Sequence, residues 1–290
     1  AVYLHGAETY FVLDLDIEKK IARVEQRDTD YYTQAITSSR LVIDRQDDED
    51  PAKRLWRQCE IGHGDVTVTT AVPMFKKVKF FTRESIGFEE LDLPPQTLET
   101  TAMWLVPPQE ALDLIRNCGR LSSEALTGIA NLIAEVAPLF IMCDPSDIAT
   151  VTDSSNLGRD AIFLYDRHQG GMGFSMRAKD LLEEIMQAAL GVARKCPCET
   201  GCPSCVGAPV PAFALADMDS GTRGRIPDKE AALVMLHAML GLEEYVPKYA
   251  PPVEESATPT EAHERKPKSE MLEVGKKKSK PTTKTPRHKE

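Results

Sequence analysis

The chain has 290 residues, 42% of them apolar, and a formal net charge of −10, so it can bury a substantial core in one large domain or two ordinary ones. No run of 18 uncharged apolar residues is present, which argues against a membrane span, and the opening AVYLHGAETYFVLDLD lacks the basic region, apolar run and cleavage site of a secretory leader. Residues 1–250 hold 25 basic and 38 acidic side chains, a net of −13 against +3 for residues 251–290, so the body presents no general positive field to nucleic acid.

Residues 1 to about 105 read as β-rich. Tyr10–Asp16 and Ile21–Glu25, turned by Ile17–Lys20, predict a hairpin. Asp44–Asp50 reads as an acidic loop. Asp65–Val72 and Val78–Phe81, dominated by β-branched and aromatic residues, predict a second pair of strands. There Lys76, Lys77 and Lys79 interleave with Phe75, Phe80 and Phe81, which places phosphate contacts beside ring faces able to stack on bases. The plainer reading is a half-exposed hairpin with alternating charged and aromatic residues.

From Pro107 the period becomes helical. Pro107-Pro108-Gln109-Glu110 opens a helix to about Asn117, with proline where the first turn tolerates it. Ser122 is placed to cap the next, whose stripe Leu126, Ile129, Ile133 and Val136 reads as core. Ile141–Asp144 and Ala161–Asp166 read as buried strands, a long helix is expected over Ser175–Lys195, and a last one over Asp228–Leu242. Between strand and long helix, Tyr165–Phe174 makes a glycine turn. Its amides and the helix dipole favour an anion, so Gly170, Gly171 and Gly173, with Arg167 and His168, are candidates for phosphate or DNA contact. A turn that needs glycine for steric reasons alone is the competing reading, and Asp166 beside His168 is too common a pair to imply catalysis. Beyond Pro251 the chain is Pro, Thr, Ser, Glu and Lys with almost no large apolar residue, the composition of a disordered basic tail. The fold class expected is α+β. The β-rich lobe spans about 1–105, a helical lobe about 106–250, and the lysine-rich tail 251–290.

The densest chemistry lies in KCPCETGCPSCVG, where Cys196, Cys198, Cys202 and Cys205 stand within ten residues. Two relaxed disulfides fit poorly in so short a loop, because bridged Cα atoms need about 4.4–6.8 Å and well-aimed Cβ vectors. Four thiolates fit around one Zn²⁺ at about 2.3 Å each, with no position left for a catalytic water. An iron–sulfur cluster is the alternative metal reading, and Cys202-Pro203-Ser204-Cys205 read as a redox pair is a third. The scattered Cys59, Cys118 and Cys143 point to a reducing compartment, with the cytoplasm as the default.

Taken together, HGAETYFVLDLD, DTDYYT, LPPQTLETTAMWL, CDPSDI, FLYDRHQGGMGFS, CPCETGCPSC and PDKEAALVMLHAML resemble the zinc-binding domain that ends DEAD/DEAH-box DNA helicases of the mitomycin repair factor A type. The resemblance covers about residues 1–245. It implies one Zn²⁺ per chain on Cys196, Cys198, Cys202 and Cys205, single-stranded or forked DNA as a partner, a role in DNA repair, and two RecA-like lobes, in cis or in trans, that carry ATP and Mg²⁺. This chain departs from a complete family member. Asp48-Glu49-Asp50-Pro51 lacks the Ala-His of a helicase box, and Gly275-Lys276 has neither the upstream glycine nor the Ser or Thr of a phosphate loop. The chain therefore reads as part of a longer helicase or as a separate subunit beside one. A structural, protein-interaction subunit, as in anti-phage systems, and an independent hydrolase or redox enzyme using His168, Asp166 or the cysteines are the other classes of function.

Overall fold

The computed structural model describes residues 1–47, 55–208 and 226–251, which leaves Asp48–Pro51 and the tail beyond Pro251 outside the described residues. β1 (Val2–His5), β2 (Glu8–Asp16) and β3 (Ile21–Gln26) form a small antiparallel sheet, with the expected hairpin as β2 and β3. β4 (Tyr31–Gln46), β5 (Leu55–Trp56), β6 (Cys59–Lys79), β7 (Ser85–Glu90), β8 (Gln96–Val106), β9 (Ile148–Asp153) and β10 (Ala161–Asp166) make a larger one. Its main path runs β4-β6-β8-β10-β9, and β5 and β7 pair with β6.

β6 corrects the sequence reading. Asp65–Val72 and Val78–Phe81 are not two paired strands, because Asp65 to Lys79 belong to one strand of 21 residues. Pro73 lacks the N–H that a strand interior uses. It sits where the register shifts between Ile36↔Met74 and Ser38↔Ala71, a bulge that accommodates a residue without an N–H.

The helices are α1 (Gln109–Asn117), α2 (Ser122–Ile141), α3 (Phe174–Asp180), α4 (Leu182–Lys195) and α5 (Lys229–Met239). Ser122 is the first helical residue rather than the cap, a place taken by Leu121 with no side-chain bond. Ile141–Asp144 is not a strand. Ile141 closes α2, Met142 turns left-handed at φ 64° with its amide on Pro138 O, and the strand comes later as β9. The long helix is interrupted at Leu181, whose φ of −104° separates α3 from α4.

β10 is buried along its whole length because both faces of its sheet are covered. Ile162 and Leu164 join Met103 and Leu105 against the helices, while Ala161, Phe163 and Tyr165 join Trp104, Leu41, Val66 and Val68 on the other side. Asn156, after β9, closes that second face by donating to Leu41 O and accepting from the Ile43 amide. The stripe Leu126, Ile129, Ile133 and Val136 is buried in the helical core as expected. At about 1.5–3 kcal/mol for each such side chain, this stripe is a main source of stability. α2 has the length and apolarity of a membrane span, but 72% of its most apolar stretch is buried inside the fold. It is the central core helix.

Candidate metal centre

α4 delivers the chain to the cysteine loop. Cys196 is its C-cap, with its amide on Val192 O, and the backbone then turns extended at φ −66° and ψ 129°. A second turn, with the amides of Cys205 and Val206 both on Cys202 O, brings the last two cysteines back. Gly207 leaves the loop at φ 94°, where a Cβ would fall 2.1 Å from Asn131 Nδ2. That contact is close because Asn131 Nδ2 donates to Val206 O at 2.7 Å, tying the loop to α2.

The four Sγ atoms lie within 4.8 Å of one another. Cys196–Cys202 and Cys198–Cys205 are 3.5 Å apart and Cys202–Cys205 3.6 Å. A disulfide would bring a pair to about 2.05 Å, whereas sulfurs 2.3 Å from a tetrahedral zinc stand about 3.8 Å apart. None of the seven cysteines forms a disulfide. The Cys198 amide donates to Cys196 and lowers its thiol pKa to about 7, whereas burial pushes those of Cys198 and Cys205 up. Gathering four sulfurs in one short loop, two of them with ionisation opposed by burial, is the arrangement that a bound cation stabilises.

The glycine turn has a different occupant from the one expected. Asp166, fully buried, accepts hydrogen bonds from the amides of Met172 (2.6 Å), Phe174 (3.1 Å) and Ser175 (2.7 Å). The chain's own carboxylate fills the anion nest, so these amides are not available to a phosphate. Gly170 N donates to Glu99 O, Gly171 N to His168 O, and Gly173 caps α3 at φ 85°. Thr100 Oγ1, which the sequence reading missed, bonds both Asp166 O and His168 O and pins the turn to β8. His168 is exposed and pairs with Asp147 at 2.8 Å, and Arg167 is exposed beside it.

The lysine hairpin is largely matched within the fold. Lys77 pairs with Glu89 and lies 5.7 Å from the Tyr31 ring, and Lys79 pairs with Glu84 at 3.2 Å. Phe75 is buried, Phe80 packs on Tyr32, and Phe81 stands free at 98% exposure. Lys76 remains beside them on β6, partly exposed.

One constellation was missed altogether. His63 Nδ1 lies 2.7 Å from Asp47 Oδ2 and its Nε2 3.3 Å from Ser175 Oγ, which is 3.1 Å from Thr101 Oγ1. The order Asp, His, Ser has the look of a nucleophile relay. Ser175 is fully buried and already bonded on two sides, so the group ties β6 to α3 and offers no nucleophile to a substrate. The only hint in the sequence was His63 between two glycines. A Cβ at Gly62 would collide with Trp104, and one at Gly64 with Arg45 O.

Residues 129–206, from the middle of α2 through the last cysteine, match the family model of the MrfA Zn-binding domain. The chain carries that domain. It is 35% identical over 210 residues to the ATP-dependent helicase YprA of Bacillus subtilis, covering 71% of this chain and 27% of the relative. To the ATP-dependent helicase HRQ1 of Saccharomyces cerevisiae it is 25% identical over 257 residues, covering 84% of this chain and 23% of that protein. The crystal structure of the DUF1998 helicase MrfA bound to DNA matches with a TM-score of 0.50 and 31% identity over 82% of this chain and 30% of that one. The chain thus spans roughly a quarter of the length of these relatives. The zinc-binding domain and the four-cysteine cluster coincide, which supports zinc over an iron–sulfur cluster.

Proposed function

We propose that this chain is the zinc-binding accessory part of an ATP-dependent superfamily 2 DNA helicase that supports DNA binding and unwinding in cytoplasmic DNA repair. Cys196, Cys198, Cys202 and Cys205 hold one Zn²⁺ per chain, and two RecA-like lobes, in cis or in trans, supply ATP and Mg²⁺ chemistry. The observation that carries the reading is the four-sulfur cluster inside a domain whose relatives are helicases. Zinc here is structural. It locks the turn from Cys196 to Val206 that follows α4, and the chain's own residues set the surface around it. DNA meets the exposed face of the Gly170–Gly173 turn, with Arg167 and His168, and secondarily Lys76, Lys77 and Lys79.

The test joins the chain to the motor lobes and measures DNA-stimulated ATP hydrolysis and strand separation. Both should fall when Cys202 is replaced by Ser, and the chain alone should hydrolyse no ATP. Full unwinding by the lobes without this chain would overturn the reading.

A second reading is favoured by a specific feature. Tyr3, Tyr10, Val12, Leu15 and Val24 share one face of the β1–β3 sheet, and Tyr3, Leu15 and Val24 are 43–54% exposed. Such a face suits a protein-interaction subunit of a helicase-containing complex. Absence of any DNA affinity in residues 1–250, alone or joined to the lobes, would select it.

A further inference from the structure

We infer that Lys229 is the positioning residue and buried counter-charge of the metal centre, an inference that rests on the zinc reading above. Lys229 is the first residue of α5 and is 5% exposed. Its Nζ donates to Cys196 O at 2.8 Å and to Cys198 O at 2.6 Å, and its own amide donates to Thr200 O at 2.9 Å. Three hydrogen bonds from one residue therefore converge on the first half of the cysteine loop.

The position of Lys229 is itself fixed. Asp228, 1% exposed, caps α5 by accepting from the amides of Glu230 and Ala231. Its other oxygen pairs with the buried guanidinium of Arg120, which also bonds Tyr249 O. The start of α5 is thus a rigid mount, and Lys229 extends from it into the loop.

The charge balance gives the ammonium its purpose. Among the described residues Lys229 forms no salt bridge, and the partners of its Nζ are neutral carbonyls. A buried ammonium without an anion is costly. Four thiolates around Zn²⁺ carry a formal net charge of −2 in the same half-buried loop. Each charge lacks the partner that the other provides, and the two carbonyls that hold the ammonium belong to Cys196 and Cys198 themselves. Carbonyls fixed by the ammonium also hold the Cys196–Cys198 segment in the shape that aims both sulfurs inward, as groups behind metal ligands do.

The experiment uses the full chain loaded with zinc and follows metal release to a chromogenic chelator at neutral pH. Elemental analysis first fixes the zinc content. Lys229→Met, which keeps the stem and drops the charge, should release zinc at least about tenfold faster, within the range known for groups behind metal ligands. Lys229→Gln, which keeps a donor without charge, should also release faster, and Lys229→Arg should restore most of the retention. Cobalt-substituted forms should keep the visible spectrum of a tetrahedral tetrathiolate. Release from Lys229→Gln as slow as wild type would overturn the counter-charge, and Lys229→Arg as leaky as Lys229→Met would do the same. A wild-type chain that binds neither zinc nor cobalt would instead overturn the metal centre itself.

Discussion

Replacing Asp166 with Asn tests whether the glycine turn is built around an internal anion. The carboxylate accepts from three amides, two on Oδ2 and one on Oδ1, in a site with no exposure to water. Asn keeps one acceptor oxygen and puts an NH₂ where the other stood. At least one amide then faces a donor, and the remaining bonds drop from charge-assisted strength, about 1.5–3 kcal/mol each, to about 1 kcal/mol. The expected loss is about 3–5 kcal/mol. For a domain of this size that lowers the melting temperature by roughly 6–20 °C. Urea denaturation followed by the fluorescence of buried Trp104, 5.9 Å from Phe163, reads the change directly. A loss below about 1 kcal/mol would refute the reasoning and return the turn to the role of an open phosphate nest.

Cys202→Ser should leave less than one zinc per chain by elemental analysis and cost more than an ordinary core substitution, since structural zinc contributes about 10–16 kcal/mol of apparent binding energy in small finger peptides. A brown, iron-containing and zinc-free protein would refute the zinc assignment. Cys59, fully buried with its thiol pushed up to about 12, should resist alkylation in the folded chain at pH 8, while the half-exposed Cys118 and Cys143 react. The raised value carries a sign: the unfolded thiol ionises near 9, so this group's stability contribution is present below that pH and is lost as pH rises toward 12. Alkaline unfolding curves of Cys59→Ala against wild type should show the difference. Gly207→Ala, strained at φ 94° and forced onto Asn131, should speed zinc loss and lower the melting temperature; an unchanged chain would show that the loop yields freely.

Some of this was legible in the chain and some was not. Local signals served well wherever one residue type dominated a short window, as with the four cysteines, the alternating hairpin of β2 and β3, and the apolar stripe of α2. They failed where pairing decided the outcome. Pro73 ends a strand by propensity, yet a bulge opposite Thr37 carries β6 through it. Ile141–Asp144 has strand composition, but Ile141 belongs to the core face of α2 and is 9% exposed there. The Gly170–Gly173 turn reads in sequence as a candidate amide nest beside a purely steric turn, and no local pattern shows that the Asp166 carboxylate accepts from the amides of Met172, Phe174 and Ser175. His63, Ser175 and Lys229 act across 112 and 33 residues of sequence, and no local pattern reports such partners.

The long run of β6 sets a length scale for its sheet. Twenty-one residues at about 3.3 Å each give a contour of at most about 70 Å from Cys59 to Lys79. Cys59 lies in the same core cluster as the cysteine loop, whereas Phe81, just past the far end, projects into solvent. The strand is therefore a spacer between the buried helical core at Cys59 and the exposed tip at Phe81. A partner that touches the tip at Phe81 need not reach the helical core.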